Sequence, residues 1–289
     1  MLDKIVFIIN KEDAKQEMEA LLGELRECQI KAFWFEAFDS SIDFFLQNLS
    51  ADAAWEDTLF VTDAAKDYQM LRRNNRPVVV WLHEQNREET FPQAEYAIEN
   101  LHEIAYQSLE LAYLRLTGQP WKIAETNRCI IRESVVEDVD SFYEIYADES
   151  ITEYMEDLYA DRDEEIAYLH DYIKNVYAFY GYGMWTVLEK ESGQVIGRAG
   201  ISLREGSDIP ELGFMIGVAW QRQGYAYEAC QAVLAYGEEE LDFHCFQALV
   251  MKGNEKSRKL CEKLGFVFVE DVEMDGTIYE RMLTETKKL

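Results

Sequence analysis

At 289 residues, with 48% hydrophobic and 13% aromatic side chains, the chain is long enough to bury two ordinary cores and too apolar to be disordered. Its 56 acidic residues against 28 basic ones leave a net charge of −28, a field that repels nucleic-acid phosphates and anionic membranes and mildly favours an amine-bearing partner. The longest apolar runs, such as 5–9 and 77–82, are far too short to span a bilayer, no signal peptide is legible, and Cys28, Cys129, Cys230, Cys245 and Cys261 form no C-x-x-C pair, so reduced core thiols and a cytoplasmic setting are expected.

Residues 5–9 read as a short strand, and 12–28 as a helix with Met18, Leu21, Leu22 and Leu25 on one face. An aromatic-rich strand over 30–38 is followed by a helix over 42–49. Residues 58–62 and 78–82 are apolar runs of the buried parallel kind, with a helix over 64–74 between them and Pro77 opening the second. A weak strand at 94–98 and a helix over 104–116 complete the alternation. The pattern predicts a doubly wound, mostly parallel α/β domain over residues 1–120. Gly118-Gln119-Pro120 ends it, and 121–127 reads as a linker.

Thr62 at a strand end and the stretch from Ala94 to Glu103 weakly resemble the haloacid dehalogenase-like core. That family implies a nucleophilic Asp just after the first strand, with a second two residues on. Asn10-Lys11-Glu12 stands there instead, so the domain is expected to be degenerate and non-catalytic. A response-regulator reading would use Glu12 and Asp13 as an acidic pair and Asp63 as phosphoacceptor, but so acidic a chain places such residues together by chance.

The second half opens with a strand over 128–132 and an amphipathic helix over 135–146, followed by a Tyr- and acid-rich helical region over 161–180. Strands at 184–189 and 195–203 are joined by Glu191-Ser192-Gly193, a hairpin signal. A strand over 211–217 then runs into Trp220-Gln221-Arg222-Gln223-Gly224-Tyr225-Ala226, which leads into a helix. Small residues in such a turn let the backbone approach a ligand, and unpaired N–H groups at the positive end of the helix hold anionic oxygens. The turn therefore reads as a phosphate cradle. Further on lie the strand 247–251 and Gly253-Asn254-Glu255-Lys256-Ser257-Arg258-Lys259-Leu260-Cys261-Glu262-Lys263-Leu264-Gly265-Phe266. Strands over 266–272 and 277–283 close the sheet.

Strand, cradle, second strand and Asn-to-Gly-Phe helix, in that order and spacing, resemble the Gcn5-related N-acetyltransferase (GNAT) family. The likeness covers residues 127–289 and is strongest to the ribosomal-protein N-terminal acetyltransferases. It implies a mixed, mostly antiparallel sheet flanked by helices, and acetyl-CoA as co-substrate with no metal. Backbone N–H groups of Gln221, Arg222, Gln223, Gly224, Tyr225 and Ala226 would take the pyrophosphate. Ile216 and Val218 would lie beside the pantetheine arm, and Asn254 and Ser257 near the cofactor. Asn254 also stands where a helix N-cap belongs.

Direct attack by a primary amine requires a base, because an alkyl ammonium is mostly protonated at neutral pH. Family resemblance puts a water-relaying Glu at Glu211, with Asp208 in reserve. Many members carry a Tyr general acid where this chain has Cys261, so Cys261 would protonate the departing thiolate, or Ser257, Tyr279 or solvent would serve instead. The region 153–182 is expected to wall the acceptor groove, with Tyr154, Asp157, Tyr159, Asp161 and Asp163 suited to a cationic amine. The expected partner is a small-molecule or peptide amine, not nucleic acid or membrane, and a homodimer is allowed for. The competing expectation is a catalytically weak acetyl-CoA sensor with output through the first domain.

Overall fold

The computed structural model describes residues 2–11, 14–36, 55–101, 103–204 and 206–284. The chain divides into two compact units, Met1–Gln119 and Pro120–Leu289.

In the first unit, β1 (Lys4–Ile9), β2 (Lys31–Glu36), β3 (Thr58–Thr62), β4 (Val78–Trp81) and β5 (Ala97–Ile98) form one parallel sheet in the order β2-β1-β3-β4-β5. Helices α1 (Glu19–Glu27), α2 (Ala65–Arg73) and α3 (Tyr106–Leu116) supply the apolar faces that cover it. Phe7, Leu59 and Val79 pack on one side with Leu21, Leu25, Leu109 and Tyr113, while Val6, Ile8 and Phe60 pack on the other with Tyr68 and Leu71. Burial on both faces is why these strands are unbroken apolar runs rather than alternating ones. The doubly wound expectation holds. The start of the helix expected over 12–28, the end of the strand over 30–38 and the whole helix over 42–49 lie outside the described residues.

In the second unit eight strands form a mixed sheet in the order β12-β13-β11-β10-β9-β8-β7-β6. They are β6 (Lys122–Glu125), β7 (Cys129–Arg132), β8 (Met184–Glu189), β9 (Val195–Ser202), β10 (Glu211–Ile216), β11 (Gln247–Met251), β12 (Phe266–Met274) and β13 (Thr277–Thr284). Neighbours are antiparallel except β10 and β11. One correction concerns 121–127, read from sequence as a linker. Its residues Lys122–Glu125 are a strand that pairs with β7. Four residues with one buried side chain, Ile123, gave too short a pattern to register.

Helices α4 (Val139–Tyr146) and α5 (Arg162–Tyr172) cover one face of this sheet, and α6 (Tyr225–Glu239) the other; α7 (Glu255–Lys263) follows β11. Gly237 lets α6 approach closely, since a Cβ there would stand 2.7 Å from Ile201 Cδ1 and from the Phe246 ring. After α5 the chain widens into a π-helical turn over Ile173–Tyr177. That turn aims two phenols at the start of β8: Tyr172 Oη accepts from Met184 N at 2.8 Å, and Tyr177 Oη donates to the Met184 carbonyl.

Candidate functional site

The two central strands of the second sheet part almost at once. β10 meets β11 through one rung, Glu211 opposite Gln247, because β11 is held along its length by β13 and β10 by β9. Gln247 N donates to Pro210 O at 2.8 Å on one side of β10, and Gly217 N donates to Ile196 O at 2.8 Å on the other. Backbone groups alternate sides along a strand, so the N–H groups of Phe214 and Ile216 face the gap. The Ile216 carbonyl is already taken by Gln221 Nε2 at 3.0 Å. Val218, expected beside the same edge, is instead in a short helical turn past the strand end and is exposed.

That turn delivers the chain to α6 through two left-handed residues, Arg222 (φ 60) and Gly224 (φ 89). Alternating right- and left-handed residues turn successive N–H groups inward, a conformation that cradles anions. No side chain caps α6, so its first N–H groups keep their bonding capacity for a ligand. Gln221 and Gln223 use their amide groups inside the turn, on Ile216 O and Ala219 O at 2.8 Å; what remains for a ligand is backbone. Tyr225 is buried under Trp220 and the Arg128 guanidinium, the latter 4.5 Å from its ring. It packs the cradle from behind, while Ala226 keeps the first turn of α6 slim.

Arg128 was not singled out from sequence. It ties Gln223 O (3.0 Å) to Glu228 (2.7 Å). Burial raises the Glu228 pKa, but Thr126 and Arg128 outweigh it and hold the carboxyl below its ordinary value. Glu228, which would otherwise repel phosphate from the first turn of α6, is thereby neutralised.

Glu211 is largely buried, with its carboxylate in a two-pronged pair with Arg204 at 3.0 and 3.3 Å. The Arg204 guanidinium therefore covers both Glu211 carboxylate oxygens, which open to water or a ligand as Arg204 swings away. Arg204 lies in the connection between β9 and β10, half exposed; only their separation of seven residues links the two in sequence, and no periodicity signals it. Tyr279 is on β13 opposite Met251, four residues along β11 from the Gln247 that pairs with Glu211. Asp208 is exposed nearby.

Cys261 is elsewhere. Its side chain is fully buried in the core with Phe266 and Met282, and burial pushes its thiol up to about 12. A thiol so placed neither reaches solvent nor competes for protons at neutral pH, which argues against the acid role expected of it. The apolar stripe of Leu260, Cys261 and Leu264 was the signal for core packing. Asn254 caps α7, accepting from Ser257 N at 3.1 Å through Oδ1; its Nδ2 and the Ser257 hydroxyl stay available.

On the expected acceptor wall, Asp161 caps α5 by accepting from Asp163 N at 2.8 Å. Asp157 accepts from Leu158 N at 2.8 Å. Both acids therefore serve local turns. Tyr159 is exposed, its ring 5.7 Å from that of Tyr168, and Tyr154 and Asp163 stand at the surface of the same segment.

In the first unit the order in which strands are added to the sheet reverses between β1 and β3, where α/β sheets commonly bind ligands. Asp63 sits there, buried. Its carboxylate accepts from Asn10 N (2.8 Å), Asn10 Nδ2 (2.9 Å) and Lys11 N (2.9 Å), and meets His83 Nε2 at 3.1 Å. Those partners occupy its lone pairs and tie together the ends of β1, β3 and β4. Glu12 and Asp13 lie outside the described residues. No group of three or more His, Cys, Asp and Glu among the described residues is arranged to hold a metal, and no described helix is long and apolar enough to cross a membrane.

Residues 128–267 match the family model for the acetyltransferase (GNAT) domain. YkkB of Bacillus subtilis (strain 168) is 32% identical over 107 residues, 35% of this chain and 62% of YkkB. The ribosomal protein uS5-alanine N-acetyltransferase of Escherichia coli (strain K12) is 33% identical over 100 residues, 34% of this chain and 50% of that enzyme. The chain thus spans about half to three-fifths of these relatives. The ribosomal-protein-S5-alanine acetyltransferase of Vibrio fischeri superposes with a TM-score of 0.50 at 14% identity, over 57% of this chain and 96% of that one, a likeness of fold. The second unit carries a GNAT acetyltransferase domain.

Proposed function

We propose that this domain transfers the acetyl group of acetyl-CoA to a primary amine by direct attack in a ternary complex. The observation that carries the reading is the parting of β10 from β11, with an uncapped helix behind a left-handed glycine at its far end. The gap offers the Phe214 and Ile216 N–H groups to an extended arm. The cradle from Arg222 to Ala226 offers backbone donors to phosphate, and Asn254 and Ser257 retain polar groups toward the same cofactor. Acetyl-CoA supplies the activated thioester. An N–H facing the gap stabilises the carbonyl oxygen as charge develops on it, an effect worth about 3 kcal/mol where a single donor has been removed from comparable sites. Glu211, released from Arg204, accepts the proton of the attacking ammonium through water. Tyr279 or solvent returns a proton to the thiolate.

The first unit is proposed to be non-catalytic, since Asp63 has its acceptor sites filled by its own chain. The acceptor class includes peptide N-termini, such as the ribosomal-protein alanine named for the Escherichia coli relative. The test is thiol release from acetyl-CoA with peptides, polyamines, amino sugars and amino acids. Amine-dependent release supports the reading; coenzyme A binding without release would shift it to the sensor.

A further inference from the structure

Arg198 is a cation without a counter-ion. It stands in the middle of β9, in the apolar strand Val195-Ile196-Gly197-Arg198-Ala199-Gly200-Ile201-Ser202, and its guanidinium lies 4.9 Å over the Phe142 ring of α4. Its Nε has no hydrogen-bond partner. The ionisable groups that face it are phenols: Tyr146 on α4, which hydrogen-bonds it, Tyr168 and Tyr172 on α5, and Tyr177 in the π-turn. Among the described residues no carboxylate pairs with it. The guanidinium lies deep among the protein's atoms, yet the residue keeps partial solvent exposure. The side chain is thus half-buried between β9 and α4 and is not sealed from solvent.

The register fixes which face of the sheet it occupies. Arg198 is opposite Met215, and Ser202 opposite Glu211. With side chains alternating along each strand, Arg198, Met215, Ser202 and Glu211 share one face. Ile201, three residues on from Arg198, points to α6 on the other. Arg198 is therefore on the face away from α6 and its cradle, about 13 Å along β10 from the Glu211 position at a rise of about 3.3 Å per residue. The π-turn that aims Tyr172 and Tyr177 inward is of a kind frequent at functional sites.

A buried guanidinium with no carboxylate beside it is costly to keep, and the Tyr146 phenol that hydrogen-bonds it does not neutralise it. We propose that Arg198 is a specificity-determining residue that binds a carboxylate carried by the amine acceptor. The inference rests on the acetyl-transfer reading and says which amines that site selects. A planar carboxylate suits the guanidinium fork, and its single charge balances the single cation. A phosphate would bring nearly two negative charges to a domain already rich in acid. The carboxylate has two sources: the α-carboxylate of a free amino acid, or an acidic side chain near the N-terminus of a peptide.

The experiment uses the full chain and matched acceptors: amino acids against their amides, and N-terminal peptides with Glu against Gln at the second position. Thiol release gives kcat and KM for the native protein, Arg198→Met and Arg198→Lys, and calorimetry gives their acetyl-CoA affinity. The native protein is expected to favour the carboxylate member of one series by about ten- to a hundredfold in kcat/KM, as for a hydrogen bond to a charged group. The responsive series identifies the source. Arg198→Met is expected to abolish that preference through KM while keeping kcat on the amide and acetyl-CoA affinity, and Arg198→Lys to recover part of it. Removing a cation that no carboxylate balances is also expected to leave the melting temperature unchanged or higher, whereas a structural arginine would lower it. Equal use of acid and amide by the native protein, or a preference that survives Arg198→Met, overturns the proposal. Should Arg198→Met not fold, the native comparison and Arg198→Lys decide. Absence of any thiol release sinks the acetyl-transfer reading instead; calorimetry of the same pairs on the coenzyme A complex then decides for Arg198, and equal binding or none overturns it.

Discussion

Gly224→Ala is expected to damage both the cradle and the fold around it. Gly224 holds φ at 89° and ψ at 0° as the residue before α6, a left-handed conformation that costs an L-residue about 1–2 kcal/mol. The added Cβ would stand 3.3 Å from Arg128 Nη2, which is not free to retreat. The guanidinium is held by Glu228 at 2.7 Å, bonded to Gln223 O at 3.0 Å and stacked on Tyr225 at 4.5 Å. Arg128 is 43% exposed, so solvent screening discounts the electrostatic part. A total of about 2 kcal/mol follows, or about 4–8 °C in the melting temperature of a unit this size. If the chain relieves that strain by turning its N–H groups away, coenzyme A affinity falls by about ten- to a hundredfold, the worth of one or two hydrogen bonds to a charged group. Calorimetry with coenzyme A and thermal melts would read both. Arg222→Gly is the control: it relaxes a non-glycine residue at φ 60 but frees the unfolded chain, and a change within about 0.5 kcal/mol is expected. Full affinity in Gly224→Ala, or in the bulkier Gly224→Trp, would refute the cradle.

Four further outcomes are expected. Glu211→Gln should lower kcat by about a hundredfold, the lower range for loss of a general base, with acetyl-CoA affinity kept; an equal loss of affinity would make Glu211 structural. In native protein the exposed Cys28 should react with a thiol reagent while Cys261, buried and pushed up to about 12, stays unmodified until unfolding; rapid labelling of Cys261 would contradict its place in the core. The Glu228 carboxyl is held below its ordinary 4.5, so its stabilising contribution is present above that pH and is lost as pH falls through the lower folded value. Melts of the second unit between pH 6 and 3 should therefore decline less steeply in Glu228→Gln, and parallel curves would count against the Arg128–Glu228 account. Asp63→Ala, which strands buried donors on Asn10, Lys11 and His83, should cost about 3 kcal/mol or more in the first unit while acetyl transfer persists; acetyl phosphate labelling of Asp63 would overturn its reading as structural.

Elements whose packing is local were legible in the sequence. The runs that became β1, β3 and β4 are apolar on both faces and announced a parallel sheet, and the Gln-x-x-Gly-x-Ala turn announced a left-handed glycine ahead of an uncapped helix because its geometry lies within a few consecutive residues. Pairings across the sheet were hidden. Arg204 meets Glu211 around a turn, and Arg128 meets Glu228 from the opposite end of the domain; neither leaves a periodic trace. Cys261 was read by analogy with the Tyr common at its position, although its place on the α7 apolar stripe already assigned it to the core. Arg198 did leave a signal, a lone charge inside a strand of buried residues. Its meaning needed the register, which sets it on the face of Glu211.

The measurement that bears most directly on the account is thiol release from acetyl-CoA, followed against a panel of amines for the native protein and for Gly224→Trp side by side. Release that requires an amine and collapses in Gly224→Trp is the expected result. Native protein that binds coenzyme A yet releases no thiol with any acceptor would contradict it and leave the sensor reading in its place.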